Sequence, residues 1–562
     1  MPGLRLLFQL SDQSRLAEYN VSLFTQGLVL LVGTWLSWRL LKAVLAKNPL
    51  DNVPGPKARS YIVGDLAELV NANAWAYHEM LEKNYSGIAR IPGVMGARML
   101  YVYDPKALYH ILLKGQNSFD ENENFIQTNT LLFGKGLLST IGDQHRMQRK
   151  ILSPVFSAAH LRDMVPLFNN VTYKLRDSIR LEVLKGETQM SRTALGLIGQ
   201  SGWGTSFDSL QADTELHPYY NAMKNLMHSI METTTARHLV LPYGANLGSS
   251  RFRRFIVDIF PWKAVHKLRD IVDVMHASSV SVYNEKIAAL GQGGPEALRE
   301  QVGEGKDILS ILLKANISAP EDQKMPEDEV IGQMTTLTFA GMDTTSNALS
   351  RILDLLGANP DVQDTLRKEI LEAKMNHGEL LYDELHQLPY LDAICRETLR
   401  LYPPANFVSR TSTQDSMLPL ERPLKLLDGK EVYEIMVPQG TTIFIPILAC
   451  NRDPLIWGPD ANEWKPERWL SPLPTTVTES RSPGIYSHLM TFIGGSRACI
   501  GFKFSQLEMK VVLCTLLESF KFAPGDKKIR WEYNGISQPT VDEASPNGVH
   551  KLQLPMKVSL VV

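Results

Sequence analysis

The stretch Phe492-Ile493-Gly494-Gly495-Ser496-Arg497-Ala498-Cys499-Ile500-Gly501 decides how the chain is read. It holds one cysteine, three glycines and one arginine, and it precedes an amphipathic helical run that continues to about Leu517. A buried thiolate is unfavourable without a cation to bind. The glycines let the backbone turn tightly around the sulfur and approach a large flat ligand. Amides freed by the turn can donate to the thiolate, and the N-terminus of the following helix moderates its charge. Arg497, two residues before the cysteine, is placed to meet an anionic edge of the same ligand. The competing reading is a Gly-rich turn around an ordinary buried cysteine. The rest of the chain decides between the two.

The chain has 562 residues, 44% of them hydrophobic, enough for a large core and, by length alone, for several domains. No internal repeat or Gly/Ser linker divides it, so residues 59–562 read as one catalytic domain. A net charge of −2 offers nucleic acid no electrostatic footprint. Cys395, Cys450, Cys499 and Cys514 form no C-x-x-C pair, which argues against zinc and dithiol redox chemistry. Their scarcity suits a reducing compartment.

From Tyr19 to Trp38 the chain carries no charge for 20 residues, long enough for one helix to cross a bilayer. Trp35 and Trp38 suit the interface, and Arg39, Lys42 and Lys47 place the C-terminal side in the cytosol. A cleaved signal peptide would need a basic start and a small-residue cleavage site, neither of which is clear; a buried core helix is the other reading. The expectation is a lumenal tail at 1–18, one transmembrane helix at 19–38 and a basic, Pro-rich hinge at 39–58, stiffened by Pro54-Gly55-Pro56.

Beyond the hinge the pattern predicts a helix at 74–85, strands at 87–91 and 99–103, and a helix opened by Asp104-Pro105. Residues 115–140, with Phe119, Phe125, Leu131, Leu132 and Phe133 among glycines and polar residues, read as an apolar loop over something greasy. His145 and Arg149 are four apart and share a helix face. Residues 160–315 look helical without chemistry attached. A helix opened by Pro326 and three acids runs to about Leu356 and carries Ala340-Gly341-Met342-Asp343-Thr344-Thr345 at its middle. Glycine and threonines are poor helix-interior residues, so something flat is expected against them. Asp343 offers a proton, and Thr344 can free its hydroxyl for another partner. Glu397 and Arg400 are helix neighbours, and a second arginine stands in Pro466-Glu467-Arg468-Trp469. Residues 424–427 and 431–437 read as a hairpin, 441–445 as a strand and 471–484 as an exposed insertion.

The spacing F-x-x-G-x-R-x-C-x-G resembles the haem-binding loop of the cytochrome P-450 superfamily, and the remaining motifs fall in that family's order. The resemblance implies a mainly α fold with a small β-rich lobe near the N-terminus. It implies haem b with Cys499 as axial thiolate and Phe492, Gly495, Arg497 and Gly501 around it. It makes Ala340 and Gly341 the surface over the haem, and Asp343 and Thr344 the acid–alcohol pair that delivers protons. His145 and Arg149 resemble the family's W-x-x-x-R pair at a haem propionate, with His145 standing where tryptophan is usual; Arg410 falls where many members place another propionate arginine. Glu397, Arg400 and Arg468 would form the buried triad. The implied function is a membrane-anchored monooxygenase of the endoplasmic reticulum, its domain cytosolic, acting on a lipophilic molecule with O2 and electrons from an NADPH–diflavin reductase. The pattern looks like fungal secondary metabolism, which favours a terpenoid; a fatty-acid or aromatic-compound hydroxylase is the alternative within the family, and a haem-binding sensor or carrier the alternative outside it. Arg149, Lys150, Lys503 and Lys510 are candidate contacts for an acidic flavin domain.

Overall fold

The computed structural model describes residues 30–31, 33–35, 37–38, 48–185, 218–234, 236–297, 307–544 and 550–561. The expected tail at 1–18, much of the expected anchor at 19–38 and the start of the hinge lie outside the described residues. Leu30, Leu31, Trp35 and Trp38 are helical and exposed. Among the described residues no helix is long and apolar enough to cross a membrane.

Helices dominate. They are Trp75–Asn84 (α1), Glu123–Phe133 (α2), Gly142–Leu152 (α3), Ala158–Lys185 (α4), Pro218–Glu232 (α5), Ser250–Ile259 (α6), Lys263–Ala297 (α7), Ile308–Ser318 (α8), Glu327–Ala358 (α9), Pro360–His377 (α10), Pro389–Leu401 (α11) and Phe502–Ser519 (α12). Local chemistry sets their ends. Glu327, Asp328 and Glu329 occupy the first turn of α9, where the helix dipole favours acids. Pro360 and Pro389 open α10 and α11 at the position where no N–H is needed. Gly378 ends α10 with φ +76°, a left-handed stop. Phe168, Leu353, Leu366, Ile394 and Leu513, one from each of α4, α9, α10, α11 and α12, have no exposed surface and centre the larger core.

The strands are Ile88–Pro92 (β1), Arg98–Val102 (β2), Phe119–Asp120 (β3), Phe407–Ser412 (β4), Ser416–Lys425 (β5), Glu431–Val437 (β6), Thr442–Pro446 (β7), Phe520–Pro524 (β8), Ile529–Asn534 (β9), Ile536–Ala544 (β10), His550–Leu552 (β11) and Met556–Leu560 (β12). One five-stranded sheet has the order β1-β2-β7-β4-β3. Among the described residues only β2 and β7 pair in parallel, Leu100 opposite Ile443. The sheet is therefore not purely N-terminal as expected: two of its five strands, β4 and β7, come from residues 407–446. The C-terminal strands β8 to β12, which the pattern reading did not anticipate, form two further small sheets.

Two local expectations change. Residues 115–140 are not mainly a loop: Asn122 caps α2 and Gly134 ends it, and its Phe133 stacks on Phe339 of α9 at 4.7 Å. Residues 471–484 are largely exposed but pinned, because Val477 is fully buried and Thr476 Oγ1 donates to the Ile456 carbonyl.

The fold is locked by one carboxylate. Glu397, with no exposed surface, accepts from Arg400 Nε (2.9 Å) and Nη2 (2.8 Å), Arg468 Nε (3.3 Å), Trp469 Nε1 (2.9 Å) and the Lys465 amide (3.1 Å). Arg400, equally buried, also donates to the carbonyls of Ala461 (2.6 Å), Asn451 (3.1 Å) and Glu463 (3.2 Å), and it lies 5.1 Å from the Trp457 ring. The expected triad is thus present, with Trp469 as a further member that the sequence reading passed over.

Arg400→Ala leaves Glu397 buried and short of two donors, an unpaired charge worth about 3–5 kcal/mol. The full-length variant is expected to give little folded protein and an early urea midpoint. Arg162→Ala, which breaks an exposed pair with Asp383, is expected to be nearly silent. Equal losses in the two variants would contradict the lock.

Candidate functional site

The lock reaches the cysteine turn through Asn451. Arg400 holds the Asn451 carbonyl, Asn451 Oδ1 accepts the Met490 amide at 2.7 Å, and its Nδ2 donates to Thr491 Oγ1 at 2.9 Å. Thr491 Oγ1 in turn donates to the Leu399 carbonyl. The turn that follows is fixed at both ends: the Ile493 amide donates to Met490 and the Cys499 amide to the Phe492 carbonyl, at 2.9 and 3.0 Å. Ile493 has φ +44°, costly for a β-branched residue and held only by its surroundings.

The glycines of the turn serve a different need from the one expected. A Cβ at Gly494 would lie 1.7 Å from the Pro483 carbonyl oxygen, and one at Gly495 2.0 Å from that of Leu112. Close passage of protein backbone requires them, and Gly495 also has φ +80°. Gly501 has room for a side chain, with Phe156 3.9 Å away. Phe492 is buried against Tyr486 and Phe502.

Cys499 is exposed, whereas Cys395, Cys450 and Cys514 are buried. Enough protein nevertheless surrounds its sulfur for desolvation to act on the thiol. Burial pushes its pKa up; the Gly501 amide, hydrogen-bonded to the sulfur, and the nearby Arg149 guanidinium pull the other way. A thiol in that balance releases its proton to solvent when it binds a metal cation. One turn amide, one arginine and one thiol do not make a closed metal cage, and among the described residues no group of three or more His, Cys, Asp or Glu could hold an ion. The donor set fits a metal that brings its other ligands with it, as haem does.

Helix α9 is largely buried, yet Ala340 at its middle is exposed and Gly341 and Thr344 are partly so. These small residues also face open space. Thr344 Oγ1 donates to the Ala340 carbonyl at 2.8 Å, so its proton is engaged with the helix rather than free. Asp343 is buried, and burial alone lifts its pKa to about 7. Beside them, Thr345 hydrogen-bonds Glu508 of α12, a buried carboxyl pushed well up by burial and with Oε1 unpartnered. Glu508 was missed; the signal was a lone acid on an apolar helix face.

The basic residues separate. Arg149 Nη1 donates to the Ala498 carbonyl at 2.7 Å and ties α3 to the turn. His145 is buried, with a pKa lowered to about 4 by burial and by Arg497 and Arg149, so its ring is neutral near neutrality. Helix α3 is itself fixed to α9, where Glu329 accepts from Gln144 (2.6 Å) and Gln148 (2.7 Å). Arg497 pairs with Asp120 at 3.3 Å and Arg410 with Glu121 at 2.9 Å. Arg410 is 3% exposed and its Nη2 has no partner. An unsatisfied buried guanidinium nitrogen near the turn fits an anionic ligand edge. Lys510 is a correction: it is fully buried and paired with Asp392 at 2.8 Å, so it cannot meet a protein partner. Lys150 is exposed and Lys503 partly so.

A family model described as cytochrome P-450 matches residues 53–542. A protein named cytochrome P-450 monooxygenase 91, from Postia placenta, is 47% identical over 94% of this chain and 97% of its own length. Cytochrome P-450 monooxygenase 212 of the same fungus is 44% identical over 94% of this chain and 97% of its length. A ganoderic acid synthetase of Ganoderma lucidum is 42% identical over 91% of this chain and 95% of its length.

The buried Asp343 sets a pH dependence. Folded, it keeps its proton up to about pH 7; unfolded, it releases it near the ordinary value of about 3.9. Between those values the native state binds more protons, so this group's contribution to stability is lost as pH rises through about 7. The melting temperature should therefore fall less between pH 5 and pH 8 in Asp343→Asn than in wild type. Identical falls would show that Asp343 ionises normally in the fold.

Proposed function

The chain belongs to the cytochrome P-450 family, and we propose that it is a membrane-anchored monooxygenase that oxidises a lipophilic small molecule, a terpenoid of fungal secondary metabolism being favoured. The family's cofactor is haem with an axial cysteine thiolate, and Cys499 is the residue proposed to supply it. That assignment rests on one observation: among four cysteines, Cys499 alone is exposed, with the Gly501 amide on its sulfur. Bound haem supplies reductive activation of O2 and transfer of one oxygen atom to the substrate.

The chain's own residues bind, exclude water and move protons. Arg410, Arg497 and His145 are proposed to meet the cofactor's carboxylates, and Arg149 to hold the turn. Phe133 and Phe339, stacked beside the small residues of α9, give the proposed site apolar walls. Asp343 can hold a proton at neutral pH because burial disfavours its anion. Thr344, by trading its bond to the Ala340 carbonyl for one to water, can hand that proton on.

Several features support the finer parts of the reading. The uncharged run Tyr19–Trp38 supports a single endoplasmic-reticulum anchor. Exposed Ile62 and Met95, and Phe252, Phe255 and Ile259 on α6 beside Arg251 and Arg253, support contact with lipid. Lys150 and Lys503 support docking of an acidic flavin domain that delivers NADPH-derived electrons. The likeness to a ganoderic acid synthetase supports the terpenoid.

The test is co-expression with a diflavin reductase, a lipophilic panel, and product mass. A gain of one oxygen at the expense of NADPH is expected for a terpenoid. Thr344→Ala is expected to keep haem and NADPH use while product per NADPH falls and peroxide rises, a positioned proton donor being worth about 100–10,000-fold in its step. Unchanged coupling would make Thr344 only a helix residue.

A further inference from the structure

Asp120 and Glu121 stand where the proposed cofactor site would not be expected to need them. Strand β3 pairs with β4, Asp120 opposite Thr411, and this register sets the two acids beside Arg410 and Arg497. Glu121 Oε1 lies 2.9 Å from Arg410 Nη1, with its side chain 10% exposed. Asp120 Oδ1 lies 3.3 Å from Arg497 Nη2 and is 32% exposed. A cleft beside them is lined by Arg410, Arg497, Asp120, Gln116 and Ser496. Here two cations balance two anions.

Haem carries two carboxylates. On the reading proposed above, on which this inference rests, those carboxylates share Arg410 and Arg497. The cluster would then hold four acids against two guanidinium groups. His145, the other titratable group facing it from α3, is neutral, and Arg149 is engaged at the Ala498 carbonyl. Asp120 is partly open to water. Glu121 is nearly buried, and its carboxyl is already pushed up by burial against the pull of Arg410 and Arg497. The excess negative charge falls on the acid that water screens least.

We propose that Glu121 is a redox-linked proton site: it shares Arg410 with the haem carboxylates and takes up a proton from water when the haem gains an electron. The balance is one electron from the external reductant to the haem iron and one proton from solvent to a Glu121 carboxylate oxygen. The added negative charge is neutralised within the same cluster, so the first electron becomes easier to accept at lower pH.

The test is a spectroelectrochemical titration of full-length holoprotein in lipid nanodiscs from pH 5.5 to 8.5, in wild type and Glu121→Gln. The wild-type midpoint is expected to fall with rising pH, by about 59 mV for each tenfold difference in proton affinity between the two oxidation states. Glu121→Gln is expected to be flat and to lie above wild type at high pH. A flat wild type, or an equal slope in both, overturns the proposal. If Glu121→Gln fails to take up haem, the reduced-minus-oxidised infrared spectrum of Asp343→Asn decides, that change removing the buried α9 carboxyl whose pKa is lifted to about 7. A gained, deuterium-sensitive band of a protonated carboxylic acid is expected, and its absence overturns the proposal. Both measurements start from protein whose reduced, carbon-monoxide-bound form has a thiolate-type Soret band. Without that band the haem-thiolate reading fails and this inference with it; with the band and a flat profile, this inference alone fails.

Discussion

The carboxylate of Glu397 is the constraint on which the rest depends. It is fully buried and meets donors from α11, from Lys465 and from the Arg468-Trp469 turn. An ion buried this far is tolerable only when all its partners are present, since removing one leaves desolvation uncompensated. The cluster therefore fixes two sequence-distant segments, α11 and residues 465–469, at once. Through Arg400 and Asn451 it also fixes Met490 and Thr491, from which the cysteine turn starts. The sulfur is positioned by a charge that never touches it.

The turn adds its own requirements. Pro483 and Leu112 pass so close to Gly494 and Gly495 that any side chain there would collide with backbone. A comparable crossing lies at α9. There a Cβ at Gly136 would meet Thr336 and Gly332 of α9 within 3 Å, while Gln333 Oε1 accepts the Leu137 amide. Both crossings let elements approach without intervening side chains.

Much of this was legible in sequence, for physical reasons that differ by element. Helices α9, α10 and α11 announce themselves by proline or acids in the first turn, and β1 and β2 by short alternating runs. Glu397 and Arg400 lie one helical turn apart, so their pairing is local, and the Arg468 contact followed from the family's motif. What escaped depends on distant partners. The parallel pairing of β2 with β7 joins residues more than 300 positions apart, and nothing in either strand specifies the other. Lys510 looked like a surface cation because Asp392, which neutralises it, lies on another helix. The glycines of the turn were read as making room for a ligand, whereas backbone segments invisible to local reading occupy that room. Residues 115–140 were read as a loop because glycines frame them, although Asn122 and Gly134 are the two ends of a helix.

The electrostatics of the site follow from burial. Asp343, Glu121 and Glu508 are all pushed upward by desolvation, so the interior works against carboxylate charge at each of them. The Cys499 thiol is likewise pushed up by burial, and a bound cation makes its thiolate favourable. The most direct measurement is the absorption spectrum of the reduced, carbon-monoxide-bound protein in wild type and Cys499→Ala. The account expects a thiolate-type Soret band in wild type and its loss in Cys499→Ala, because no neutral ligand reproduces the thiolate's charge. The same band in Cys499→Ala would contradict it.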